Sequence, residues 1–381
     1  MLFDYEVLRL IWWALLGILL IGFAVTDGFD MGAAALMPII GKKDEERRVI
    51  INTVGPVWEG NQVWFILGGG AIFAAWPALY ALSFSGFYLA MFIVLFALIL
   101  RPVAFKYRSK REGKAWRRNW DWALFISGAV PPVIFGVAVG NAMIGVPFHY
   151  TDELRPIYEG NLFGLLNPAA LFCGIVSIAM ILMHGAAWIV LKTQGDIATR
   201  ARKIGFYAAL VSIALFALGG VILSLGWFGG YALTSTADWA GPSFPLAKSV
   251  EVARGAWLAN YINVPLLAIV PALGFVGLAG AAFGFKAGGV ERLTLLASGT
   301  GVAFIIATVG VTMFPFILPS TIMPDHSLMV FDASSSRNTL RNMLIAVIIF
   351  LPLILGYTAW VFHVMRGKVT EDGIAKSSHA Y

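Results

Sequence analysis

The chain has 381 residues, 59% hydrophobic and 13% charged, with a mean hydropathy of +0.81; soluble domains average about 45–50% apolar and about 25% charged, so a soluble globular protein is excluded. Twenty-seven Lys and Arg against 21 Asp and Glu leave a formal +6, spread too thinly to build a nucleic-acid groove, and nucleic acid is excluded as a main partner. The single cysteine, Cys173, excludes a disulfide framework, a Cys-ligated zinc or iron–sulfur site and a CxxC redox pair.

A helix needs roughly 20 apolar residues to cross about 30 Å of hydrocarbon. Nine stretches meet this, at 9–36, 53–75, 78–100, 121–145, 165–191, 204–227, 257–283, 293–316 and 342–365. The first lacks a basic leader and a small-residue cleavage site, so it is read as a span and not as a signal peptide. Segments following helices one, three, five, seven and nine hold 21 of the Lys and Arg; the other side holds Arg9, Arg155, Lys248, Arg254, Arg337 and Arg341. Positive charge collects on the cytoplasmic side, which places the N-terminus outside and the C-terminus inside. The longest outer segments, 228–256 and 317–341, are too short for a separate domain, so residues 1–381 read as one membrane domain.

Trp12 and Trp13 near one interface, and Trp116, Trp120 and Trp122 near the other, fit aromatic belts. Prolines 56, 131, 132, 265, 271 and 352 are expected to bend helices. The pairs Gly136/Gly140, Gly226/Gly230 and Gly280/Gly284 allow close helix contact.

An ionisable group at the centre of a spanning helix costs about 2.5–3.5 kcal/mol, so it persists mainly where it works or is paired. Asp27 and Asp30, in VTDGFDMG, are three residues apart and share a helix face. Asp27 lies about 18 residues, roughly 27 Å, past Arg9, toward the cytoplasmic side. Glu59, in VWEGNQVW just after Pro56, lies roughly 15 Å or less below that same surface, among Trp58, Asn61, Gln62 and Trp64. Carboxyls held in hydrocarbon can take and give protons near neutral pH, which suggests an inward-facing proton inlet. The alternative is structural: Asp27 or Asp30 pairs with Arg101 or caps freed amides.

A haem iron takes an axial His, Met, Cys or Tyr. His149, His326 and His379 fall in loops or the tail and His363 at the inner end of helix nine, leaving His184 inside a helix; a lone His there is more often a hydrogen-bonded packing residue than a ligand. There is no Walker A loop, HExxH, GxSxG or GxGxxG, so no nucleotide-driven engine is expected.

The runs GFAVTDGFDMG (22–32) and WEGNQVW (58–64) resemble subunit II of the cytochrome bd quinol oxidases, and so do FAAWP (73–77), FSGFY (84–88), RPV (101–103), YRSK (107–110), MFPF (313–316), DASSS (332–336) and GYTAW (356–360). The likeness spans essentially the whole chain. It implies an all-α polytopic protein of nine transmembrane helices, arranged as two four-helix bundles plus one peripheral helix in the bacterial inner membrane. It implies a heterodimer with a homologous subunit I that holds haem b and haem d and oxidises ubiquinol at the outer face, reducing dioxygen with cytoplasmic protons and so building proton motive force. Carried over, Glu59, Asp27 and Asp30 match acids of a proton path, Trp64 lies near an oxygen entry route, and Trp58, Asn61, Gln62 and Arg101 support them. Some relatives have Asp at the position of Glu59. A structural quinone within subunit II, a small single-helix accessory subunit and bound membrane lipid also belong to the family picture. A proton-coupled secondary transporter, or a scaffold that only stabilises subunit I, would also use nine spans and buried acids.

Overall fold

A computed structural model describes residues 4–235 and 239–376; His379 lies outside them. The helices are α1 (Tyr5–Ile40), α2 (Asp44–Val54), α3 (Trp58–Ala75), α4 (Pro77–Gly86), α5 (Tyr88–Tyr107), α6 (Lys114–Ile144), α7 (Pro168–Lys192), α8 (Gly195–Ser224), α9 (Ala259–Asn263), α10 (Ile269–Ala287), α11 (Glu291–Met313), α12 (Arg337–Val364) and α13 (Glu371–Lys376). Among the described residues eight are long and apolar enough to cross a membrane: α1, α5, α6, α7, α8, α10 with the turn before it, α11 and α12. The ninth crossing is α3, whose polar first turn lowers its hydropathy. Its 18 residues rise about 27 Å, antiparallel to α1: Asn61 near its start meets Asp30, and the Ala75 carbonyl at its end accepts from Ser335 N, whose own carbonyl is bonded by Tyr5 at the start of α1.

Several expected boundaries shift where the backbone loses a donor or turns. The stretch 53–75 is two helices, because the turn at Gly55–Val57 contains Pro56. The stretch 78–100 becomes α4 and α5, broken at Phe87 and running on to Tyr107. The start of 257–283 is a short turn and α9; the span begins only at Pro265, which opens a helical turn instead of bending one. Pro131 and Pro132 lie inside α6 and Pro352 inside α12, as expected. Gly136 and Gly140 do bring α6 against α7: a methyl on Gly140 would sit 2.6 Å from Ala170 Cα. Gly226 and Gly230 instead occupy a turn at positive φ, where no side chain is easily carried.

Helices α1, α3, α5 and α6 form one four-helix bundle and α7, α8, α10 and α11 the other; α1 also packs on α7 and α11, joining the two. Peripheral α12 touches α1 and α3 and buries only Leu340 and Leu344. The main core fills the bundles from Phe23 to Ile40 of α1 and Met180 to Val190 of α7.

The two ends differ in chemistry. At the end where α1 begins, three two-stranded antiparallel ribbons cover the bundles: Phe148–Tyr150 with Pro156–Tyr158, Tyr231–Leu233 with Val250–Val252, and Phe316–Leu318 with Leu328–Met329. Arg9 pins them. Fully buried, it donates to Trp239 O (2.7 Å), Gly241 O (3.0 Å), Ser243 Oγ (2.9 Å) and Ser334 Oγ (2.8 Å), and its guanidinium lies 3.5 Å from the Tyr5 ring centre. At the opposite, basic end, buried Arg108 and Asp121 are paired at 2.5 Å, Asp121 also takes Arg47 (2.7 Å), and Asp44 takes Arg108 (2.8 Å) and Arg117 (2.6 Å). Each partner offsets the other's desolvation.

Candidate functional site

The turn Val25–Asp30 of α1 projects two carboxyls toward α3 and α5. Asp27 accepts from Arg101 Nη1 of α5, and both side chains are buried. Asp30 accepts from Asn61 Nδ2 of α3 at 2.7 Å, again between buried groups. The structure therefore realises the expected Arg101 pairing for Asp27 and gives Asp30 an amide partner. Asp27 Oδ2, Asp30 Oδ1, Arg101 Nε and Nη2, and Trp58 Nε1 are buried without a hydrogen-bond partner among the described residues. Buried polar atoms are nearly always matched, so this concentration marks a polar cluster with spare donors and acceptors.

Glu59 is placed differently. It is exposed on α3, in a stripe with Gly60, Val63, Ile66 and Phe73 that the other described residues leave uncovered. The i, i+4 and i+7 spacing puts these on one face, while Asn61 and Trp64 point inward. Gln62 is half-buried. The Trp64 indole packs against Gly22 of α1, where a methyl would sit 2.5 Å from it. Trp58 closes the cluster against Phe105, ring centres 5.7 Å apart.

The histidines do not assemble a haem or metal site among the described residues. His184 is buried, with Nε2 2.8 Å from Val25 O and Nδ1 2.8 Å from Ser298 Oγ, so both ring nitrogens are engaged. His149 pairs with Glu159 at 2.8 Å, and His326 Nδ1 accepts from Tyr150 N at 2.9 Å. His363 is exposed on α12. These residues do not fit an iron centre, and no chemical step is assigned to one held by this chain. Sequence reasoning missed Ser298 and the anchoring role of Arg9; neither stands in a motif, and a helical serine or a lone arginine carries no signal until its partners are known.

The family description "Cytochrome bd terminal oxidase subunit II" matches residues 8–365. The chain belongs to this family. Subunit II sequences similar to it include "Probable cytochrome oxidase subunit 2" of Haemophilus influenzae, 48% identical, and "Cytochrome bd-I ubiquinol oxidase subunit 2" of Escherichia coli K12, 47% identical, each alignment covering 99% of both chains. "Cytochrome bd ubiquinol oxidase subunit 2" of Bacillus subtilis is 31% identical over 95% of this chain and 96% of its own. The fold matches a chain of the bd oxidase of Geobacillus thermodenitrificans with a TM-score of 0.70 at 15% identity, covering 94% and 98% of the two chains. Subunit II is thus an all-α, multi-pass membrane protein of the architecture expected from its sequence.

Proposed function

We propose that this chain is subunit II of a bd-type ubiquinol:oxygen oxidoreductase of the bacterial inner membrane, and that it brings protons from the basic, cytoplasmic end to the face it presents to subunit I. Haem b, haem d and the quinol site belong to subunit I in this reading. Family membership supports the complex; the buried cluster Asp27–Arg101–Asp30–Asn61 carries the proton role. The cluster holds two carboxyls and one buried guanidinium, which is bonded to Asp27, so it is electrically neutral with a single proton on board. Its unmatched oxygens and N–H groups can each bind a water or pass a proton on. Glu59, two residues before Asn61 on the uncovered face of α3, then hands the proton across. Trp64 and Gly22 pack the apolar route that would admit oxygen.

The positive charge at the basic end supports a cytoplasmic C-terminus. Protons taken from inside and released outside by quinol oxidation make the reaction electrogenic, at about 2.3 kcal/mol per charge per 100 mV, without a pump. The transporter reading is not favoured, because the chain matches oxidase subunits along its whole length. The test is Glu59→Gln and Asp30→Asn in the assembled complex, reconstituted with a membrane potential. Slower oxygen reduction with full haem content is expected. Unchanged turnover in both would remove these acids from the path and leave subunit II a scaffold.

A further inference from the structure

His184 lies where α1, α7 and α11 meet, and nothing in the proton relay uses it. Its Nε2 is 2.8 Å from the carbonyl of Val25, two residues before Asp27, and its Nδ1 is 2.8 Å from Ser298 Oγ of α11. A carbonyl can only accept, so Nε2 carries a proton and donates to Val25. This bond ties the acid-bearing turn of α1 to the second bundle from behind. The two acids point the other way, toward Arg101 and Asn61.

The face toward His184 also carries the Phe29 ring stacked on Trp188 of α7, centres 4.0 Å apart, but His184 makes the directed hydrogen bond to the acid-bearing turn itself. Gly28 faces Ile181, where a methyl would sit 2.8 Å from its Cδ1; Gly32 lies on the backbone of α7, where a methyl would sit 2.8 Å from Gly185 Cα; a methyl on Gly299 of α11 would sit 3.5 Å from the His184 ring and 3.6 Å from Val25 Cγ1. Glycine-lined faces let helices approach closely, and the His184–Val25 bond adds a directional fixed point to that close packing. A slip of one residue moves the acids by about 1.5 Å and turns them about 100° around the axis. Either movement would separate Asp27 from Arg101 and Asp30 from Asn61.

We propose that His184, tethered by Ser298, is a positioning residue: it fixes the axial and rotational register of the Val25–Asp30 turn so that both carboxyls meet their partners on α3 and α5. Its effect on turnover rests on the proton-relay reading; its effect on geometry does not. In the intact complex, His184→Leu removes the tether, whereas His184→Gln keeps an amide N–H for Val25 and an oxygen for Ser298. Carboxyl infrared bands are first assigned by their loss in Asp27→Asn and Asp30→Asn. Expected for His184→Leu are displaced bands, a shifted pH profile of oxygen reduction and turnover about tenfold lower at unchanged haem content; His184→Gln should return all three to within about twofold. Should His184→Leu fail to assemble, Ser298→Ala, which spares the ring, is expected to displace the same bands less. Bands and pH profile unmoved in the assembled variant overturn the proposal. Turnover unaffected by Asp27→Asn and Asp30→Asn instead sinks the relay reading, while band displacement in His184→Leu still reports positioning.

Discussion

Removing the guanidinium from the acid cluster is the sharpest test of whether those charges are buried and paired. Arg101 and Asp27 are both almost wholly inaccessible, and Arg101 is the cation bonded to the acid cluster. Arg101→Met keeps the length and apolar volume of the stem but strands a carboxylate in low dielectric. Breaking one side of a buried pair costs about 3–5 kcal/mol, a factor of about 10²–10⁴ in the folded-to-unfolded ratio. Asp27→Asn added to Arg101→Met removes the stranded charge, and replacing both members of such a pair is often close to neutral. The double variant should therefore recover about 2–3 kcal/mol, a coupling that additive effects could not produce. Reversible unfolding in mixed detergent micelles, followed by tryptophan fluorescence, measures all corners of this cycle. A loss under about 1 kcal/mol for Arg101→Met, or simple additivity, would mean that solvent reaches the pair, and the argument from burial would fail.

Three further outcomes follow from other parts of the structure. Arg9→Met deletes four charge-assisted hydrogen bonds to residues 239–243 and Ser334; each is worth about 1.5–3 kcal/mol but they are not additive, so a loss of about 3–5 kcal/mol and faster proteolysis near residue 241 are expected. Gly185→Ala would place a methyl 2.5 Å from Gly32 Cα, forcing α1 and α7 apart, so the assembled complex should lose about 1–3 kcal/mol and inactivate faster on heating. Burial, then the neighbouring charges of His149 and Lys248, hold the pKa of His326 below its usual value, against the opposing pull of Asp325. The neutral ring accepts from Tyr150 N; the stability this confers is present above about pH 6.5 and is lost as pH falls through that value toward the depressed folded-state pKa. Amide exchange of residues 148–158, corrected for its intrinsic pH dependence, should rise over that window, and the step should vanish in His326→Asn.

The parts of the site differ in how far they could be read from sequence. Asp27, Asp30 and Glu59 stand out because each interrupts an apolar stretch, and the three-residue spacing of the two aspartates requires them to share a face of α1. The same reasoning could not separate Glu59 from the aspartates, since all three lie at similar depth. Rotation of α3 separates them, turning Asn61 inward and Glu59 outward. His184 was legible as a packing histidine by type, but its partners lie on two other helices.

Composition and hydropathy by themselves determined that the chain lives in a membrane, crosses it many times, and carries acids toward its basic end, because crossing hydrocarbon is a demand on each segment separately. Tertiary packing decided that Arg101, 74 residues away in the chain, pairs with Asp27 and not Asp30, and it alone decided that Asn61 meets Asp30, that Glu59 faces away from both, and that Arg9 gathers the far loops. A charge's surroundings are built from whichever helices come to rest against it. That depends on close contacts such as Gly32 on Gly185 and Gly22 under Trp64, which fix rotation and register and leave no periodic trace along the chain.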